Sequence, residues 1–159
     1  MALSRMNNCL KSAAGPLGAV LLAVGLGWAT LYFFFGPDVR RVDPAVLSEL
    51  RTVGRVVGEE AVMVHEWENT YVEMNDLVIY FDGEVKDDIL AAAERRLDRS
   101  GWPVSRRESS EIWVKSARWP SVLVTVERLK KKHMSSDLRE QVAATGLPMD
   151  NMAYMSVLP

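Results

Sequence analysis

The sequence has very little of the chemistry that enzymes and metal sites use. Its 159 residues include one cysteine, Cys9, and two histidines, His65 and His133. A single cysteine excludes a disulfide within the chain. No Gly-x-Ser-x-Gly, P-loop or Gly-x-Gly-x-x-Gly motif occurs. We therefore predict no catalytic residue and no cofactor, and an enzyme without an identifiable site is kept only as a third alternative.

A zinc-binding helix is also missing. His65 is followed by Glu66, which is how the H-E-x-x-H motif begins, but residue 69 is asparagine where the second histidine would have to stand. The two histidines of that motif must lie four residues apart on one helix face to share the metal. The sequence therefore predicts no metal ion here.

Acidic residues are absent from the first 36 positions, and one stretch there has no charge at all. Ala13 to Phe35 is 23 uncharged residues, and a helix of that length spans roughly 34 Å, enough for a hydrocarbon core of about 30 Å. Signal-peptide apolar regions are shorter, about 7–15 residues. Trp28 and Tyr32 are typical of an interfacial aromatic belt. We predict an uncleaved transmembrane helix at 13–36 that contacts the lipid bilayer.

Two alternatives and an orientation accompany this prediction. Cleavage after Ala29 would make the stretch a signal peptide, but it would leave an exposed apolar N-terminus; a buried core helix is the other alternative. Arg5 and Lys11 give the short tail 1–12 a positive charge, and such tails usually stay in the cytoplasm. We expect a single-pass protein of the cell membrane with its soluble domain on the extracytoplasmic side.

Small residues recur every fourth position along this helix. They are Gly15, Ala19, Ala23 and Gly27. Such a stripe lets two backbones approach closely, as in Gly-x-x-x-Gly dimers. It predicts self-association or contact with another membrane helix, although glycine and alanine are also common in membrane helices that have no partner.

The soluble part has little charge imbalance. It holds all 21 acidic residues and 17 of the 19 lysines and arginines, a net charge of about −4. A nucleic-acid partner is therefore not predicted. The basic run 128–133 is interpreted as a solvated connection, or as a contact with anionic lipid if the domain were cytoplasmic.

The pattern after the anchor predicts one α+β domain at 44–148, between a linker at 37–43 and a C-terminal tail at 149–159. Helices are expected at 44–57, 87–100 and 137–145, and strands at 61–64, 70–74, 77–81, 112–115 and 122–126, with a turn at Asn75-Asp76. We predict a mostly antiparallel sheet covered on one face by the 87–100 helix. The expected core comprises Leu77, Ile79, Phe81, Ile89, Ala93, Leu97, Trp102, Trp113, Val122, Val124 and Val126.

The densest acidic group precedes the 87–100 helix. It consists of Asp82, Glu84, Asp87 and Asp88. Acids at a helix N-terminus are favoured by its partial positive charge, so capping is the preferred interpretation. Cation binding is the alternative, and it would make the domain a ligand or cation sensor.

Tryptophan is the residue type that favours protein binding. The soluble part holds four tryptophans, a residue type common at interfaces, of which Trp102 and Trp113 are assigned to the core. Trp119, which falls in a hairpin connection, and Trp67 are predicted to contact a partner. The overall prediction is a membrane-anchored, non-enzymatic protein whose small domain binds another protein, such as an accessory subunit of a membrane or envelope assembly.

Overall fold

The chain divides into two compact units, residues 1–38 and 39–159. The computed structural model describes residues 2–67, 69–82 and 88–159, with side chains from residue 18 onward except at Phe35. In the first unit, helix α1 (Ala2–Phe35) exposes its apolar side chains on every side between Val20 and Phe34. Within the described residues, no helix combines the length and the hydropathy that a membrane crossing needs.

A seven-stranded, mostly antiparallel sheet organises the second unit, which confirms the predicted α+β class. The elements are β1 (Asp38–Arg40), α2 (Pro44–Leu50), β2 (Arg55–Trp67), β3 (Thr70–Tyr80), α3 (Ile89–Arg99), β4 (Val104–Arg107), β5 (Glu111–Val114), β6 (Leu123–Arg128), α4 (Ser136–Ala144) and β7 (Met152–Leu158). The strand order is β1-β3-β7-β6-β5-β4, and β2 pairs with β3.

The main core lies on the sheet face that α2 and α3 share. Asp88 caps α3 by accepting from the Leu90 amide, and Gly101, at φ +82°, ends the helix. The amide of Trp102 then donates to the carbonyl of Leu97, which folds the fully buried indole back under the last turn. Every predicted core residue except Trp113 is buried.

Helix α3 covers one face as predicted, and a second, smaller core that the sequence did not predict lies on the opposite face. Helix α4, capped by Ser135, packs Leu138 and Val142 over β2 and its neighbours. Gly58 permits this approach, because a Cβ atom there would lie 2.8 Å from Leu138 Cδ1.

Three predicted boundaries in the first half of the domain are wrong. Helix α2 ends at Leu50 instead of 57, because the backbone at Gly54 passes so close to Ile79 and the Tyr80 carbonyl that it already follows the sheet. The expected turn at Asn75-Asp76 lies inside β3, where both side chains are buried. The linker 37–43 contains β1.

The predicted tail at 149–159 is also wrong, because it contains β7, which lies between β3 and β6. This strand is buried on both faces, so its sequence is almost continuously apolar and shows no alternation. Trp113 is the misplaced core residue: Ile112 and Val114 face inward, and Trp113 points outward with its Nε1 donating to Glu111.

Candidate partner-binding surface

In the far half of the β2–β3 hairpin, β2 has no further strand beside it among the described residues, whereas β3 also has β1 as a neighbour. We call residues 61–67 with 70–74 the arm. All seven arm residues of β2 are exposed, and β7 pairs with β3 only from Asn75 onward. Most of a hairpin's stability comes from burying one face. The exposed β2 side of the arm therefore offers an uncovered contact surface, whereas Val72 on β3 is buried.

One face of the arm is apolar. Val62 lies opposite Met74 and Val64 opposite Val72, and Trp67 follows on the same face after a bulge. Val62 is 36% exposed, Val64 42% and Trp67 71%. We call this set the apolar face of the arm: Val62, Val64, Trp67, Val72 and Met74. Alternation along β3 places it on the same side of the sheet as α4.

The other face of the arm is more firmly held. The ring of His65 lies 5.1 Å from that of Tyr71, centroid to centroid. Glu73 accepts from Nε of Arg41 at 3.0 Å. Met63 and Tyr71 are the large apolar side chains that stay exposed on this face among the described residues. The contacts on this side leave the opposite, apolar face as the better docking surface.

The stretch of sequence that contains the arm is acidic. Residues 56–85 contain no lysine or arginine but eight acids: Glu59, Glu60, Glu66, Glu68, Glu73, Asp76, Asp82 and Glu84. Arg51 and Arg41, from outside this stretch, pair with Glu59 and Glu73. Glu66 is exposed on the arm itself, and its negative charge attracts cationic groups.

A polar cluster separates the apolar face of the arm from the second core. Asp76 is buried and accepts from Oγ of Ser156 at 2.6 Å and from the Tyr154 hydroxyl. Burial raises the pKa of Asp76, and burial next to Asp76 raises the pKa of Tyr154. Ser135 donates to Glu60 at 2.6 Å beside them. Both hydroxyls are used to satisfy the carboxylate, so the cluster holds the base of the arm in place.

The raised pKa of Asp76 predicts how the stability of the domain depends on pH. The folded protein keeps this proton to a higher pH than the unfolded chain, so the contribution of Asp76 to unfolding free energy falls as pH rises above about 4. Asp76→Asn removes that contribution while keeping an acceptor for the two hydroxyls. The unfolding free energy of Asp76→Asn minus that of wild type should therefore rise with pH and level off above the pKa of Asp76 in the folded protein. Urea denaturation from pH 4 to 7 measures this difference. A difference that stays constant or falls over this range would contradict the prediction.

The two predicted tryptophans lie in different surroundings. Trp67 is at the end of the arm. Trp119 is half-buried against the main core, its Nε1 donates to Glu49 Oε2 at 2.9 Å, and the guanidinium of Arg118 lies 5.1 Å from its ring centroid. These contacts hold α2 against the connection between β5 and β6. Partner contact at Trp119 stays a prediction.

The acidic group before α3 is only partly described. Asp88 Oδ1 accepts from the Leu90 amide and from Arg128, and its Oδ2 pairs with Arg107. The backbone carbonyl of Asp82 accepts from Arg96. Glu84 and Asp87 lie outside the described residues. Across the described parts of the chain, no three His, Cys, Asp or Glu side chains are grouped to hold a metal ion.

The small-residue stripe of α1 is described from Ala19 onward. Ala19, Ala23 and Gly27 are exposed, and no other part of the described chain comes within 4 Å of a Cβ built at Gly27. Gly15 lies among residues whose side chains are not described. Self-association through this stripe stays a prediction.

Comparison of the chain with protein-family models, with curated proteins and with solved structures found no match. The assignment of a binding surface therefore depends on geometry alone. The sequence predicts Trp67 as a contact residue but not the valines beside it, because the predicted strand 61–64 ends before Trp67. The absence of lysine and arginine from 56–85 was the sequence signal that marks this surface.

Proposed function

We propose that this chain is a single-pass membrane protein whose α+β domain binds another protein on the apolar face of the arm, without catalysing a reaction. The observation that carries the proposal is the 71% exposure of Trp67 next to two exposed valines, Val62 and Val64. Contiguous exposed apolar side chains mark interaction sites, and tryptophan is enriched among residues that dominate binding energy. An accessory subunit of a membrane or envelope assembly would have these properties.

The anchor is the second part of the proposal. Residues 13–36 have no charge, and the described side chains between 18 and 34 are exposed around the whole circumference of α1. A helix that is apolar on every side is stable where hydrocarbon or other helices cover it. Trp28 and Tyr32 suit the interface, and the tail 1–12 is proposed to face the cytoplasm.

Trp67→Ala tests the binding surface. We expect the full-length chain, isolated from its own membranes in mild detergent, to bring a second protein with it. Loss of a tryptophan that dominates an interface typically costs at least about 2 kcal/mol, so the variant should retain that protein about 30-fold less well. Met63→Ala, on the other face of the arm, is the matched control and should retain it. Recovery of the wild-type chain alone, or equal recovery with Trp67→Ala, would contradict the proposal.

A further inference from the structure

Strand β2 is an edge of the sheet, and only its first half is protected. In the described residues it pairs with β3 alone. At Glu59 the side-chain amide of Gln141 takes the place of a neighbouring strand: its Oε1 accepts from the Glu59 amide at 3.0 Å, and its Nε2 donates to the Glu59 carbonyl at 3.3 Å. The backbone groups of Glu59 therefore point away from β3.

The regular register extends this orientation along the strand. From Glu59 to His65 each residue of β2 faces its partner on β3 without a bulge. Because backbone direction alternates in an antiparallel pair, Ala61 and Met63 also point their N–H and C=O groups away from β3. No backbone hydrogen bond from another described element reaches either residue. An open edge of this kind is a template for a further strand.

The open edge adjoins the apolar face of the arm and lies in the negatively charged stretch 56–85. A strand added at Ala61–His65 would place alternate side chains beside Val62 and Val64 on the same face of the sheet, and it would bring its backbone groups to Ala61 and Met63. Exposed Glu66 and the half-buried Glu60 lie at the two ends of this segment. Complementary charges there favour a basic occupant.

A second copy of this chain does not fit the edge. Two arms side by side would bring Glu60 and Glu66 of each copy together, which like charges oppose. Strand β4 is another edge of the sheet, and it is interrupted by a bulge between Val104 and Arg106. Its arginines are also engaged, Arg106 with Glu108 and Arg107 with Asp88 and Glu94.

We propose that an extended segment of a different protein, with lysine or arginine beside apolar side chains, adds to β2 as a new strand at Ala61–His65. This inference rests on the proposed function, and it specifies the binding mode and the chemistry of the partner. Main-chain hydrogen bonds to Ala61 and Met63 supply affinity, and alternate side chains on the apolar face of the arm supply specificity.

Met63→Pro separates strand addition from side-chain contact. Proline at 63 removes the outward N–H and leaves the bonds between β2 and β3 intact, as edge strands allow. The probe is a fluorescent nine-residue peptide of alternating lysine and valine, measured by anisotropy against the full-length chain in detergent. We expect wild type and Met63→Ala to bind it, and Met63→Pro to bind at least 10-fold more weakly. A glutamate–valine peptide should bind none of them.

The alternatives have distinct outcomes. If Met63→Pro binds the lysine–valine peptide as tightly as wild type does, strand addition is overturned. The Trp67→Ala co-purification test would still decide the proposed function independently. If Met63→Pro does not fold, amide exchange in wild type decides: saturating lysine–valine peptide should slow exchange at Ala61 and Met63, and unchanged exchange overturns the proposal. Protection that grows with protein concentration in the absence of peptide would assign the edge to a second copy and overturn it equally.

Discussion

Leu22→Arg combined with Val24→Arg is expected to prevent stable membrane integration. Each arginine near the centre of a spanning helix costs about 2.5–3.5 kcal/mol on insertion scales, so the pair disfavours insertion by at least 1,000-fold. Both positions lie in the uncharged stretch 13–36, and both side chains are exposed on α1. The measurement is carbonate extraction of membranes, after which the double variant should be found in the supernatant.

Leu22→Ala combined with Val24→Ala is the matched control, because alanine keeps the helix uncharged. This control and the wild type should stay in the pellet. Wild-type protein that is released by carbonate, or that begins at residue 30 when isolated, would show that the stretch is not a retained anchor.

Trp102→Ala is expected to cost about 3–5 kcal/mol of domain stability, as large aromatic truncations in cores do. The side chain is completely buried under the last turn of α3, and its amide closes that turn on Leu97. Domains of this size are stable by only about 5–15 kcal/mol. Urea denaturation of the full-length chain in detergent should show a large drop in midpoint.

Trp102→Phe is the informative companion. The indole Nε1 of Trp102 is buried without a hydrogen-bond partner among the described residues. Phenylalanine keeps most of the ring and removes this unsatisfied donor, so the cost should be about 1.5 kcal/mol or less. Equal losses for Trp102→Ala and Trp102→Phe would contradict this interpretation of the packing.

The sequence correctly predicted the elements that are determined by neighbouring residues in the chain. Helix α3 has a capping aspartate at 88, an apolar face, and Gly101 at its end. The predicted ends of this helix, 87 and 100, lie within two residues of the observed ends. The β5–β6 hairpin alternates because one of its faces is buried, and its existence was also predicted. In such segments, periodicity and turn chemistry act within a dozen residues.

The elements that were missed depend on distant contacts. Strand β7 has no period because neighbours cover both of its faces, and Asn75-Asp76 resembles a turn until Ser156, 80 residues away, satisfies the carboxylate of Asp76. Trp119 resembled an exposed loop residue, but Glu49 lies within hydrogen-bonding distance in the fold. No local pattern encodes these pairings.

The candidate surface was predictable in part. Composition alone could indicate its charge, because 56–85 lacks lysine and arginine. Predicting the apolar face of the arm would require the register of β2 against β3, because only the register shows that Val62 and Val64 lie on the same face as Trp67. The protection of Glu59 by Gln141, 82 residues later, required the structure.

Photo-crosslinking in intact membranes tests the central claim most directly. A photoreactive residue is placed at exposed position 64 on the apolar face of the arm, which leaves Trp67 in place, and at exposed position 115 beyond β5 as the control. We predict an adduct with a different protein from position 64 and none from position 115. An absence of any adduct from position 64, or an adduct only with a second copy of this chain, would contradict the claim that the arm binds another protein.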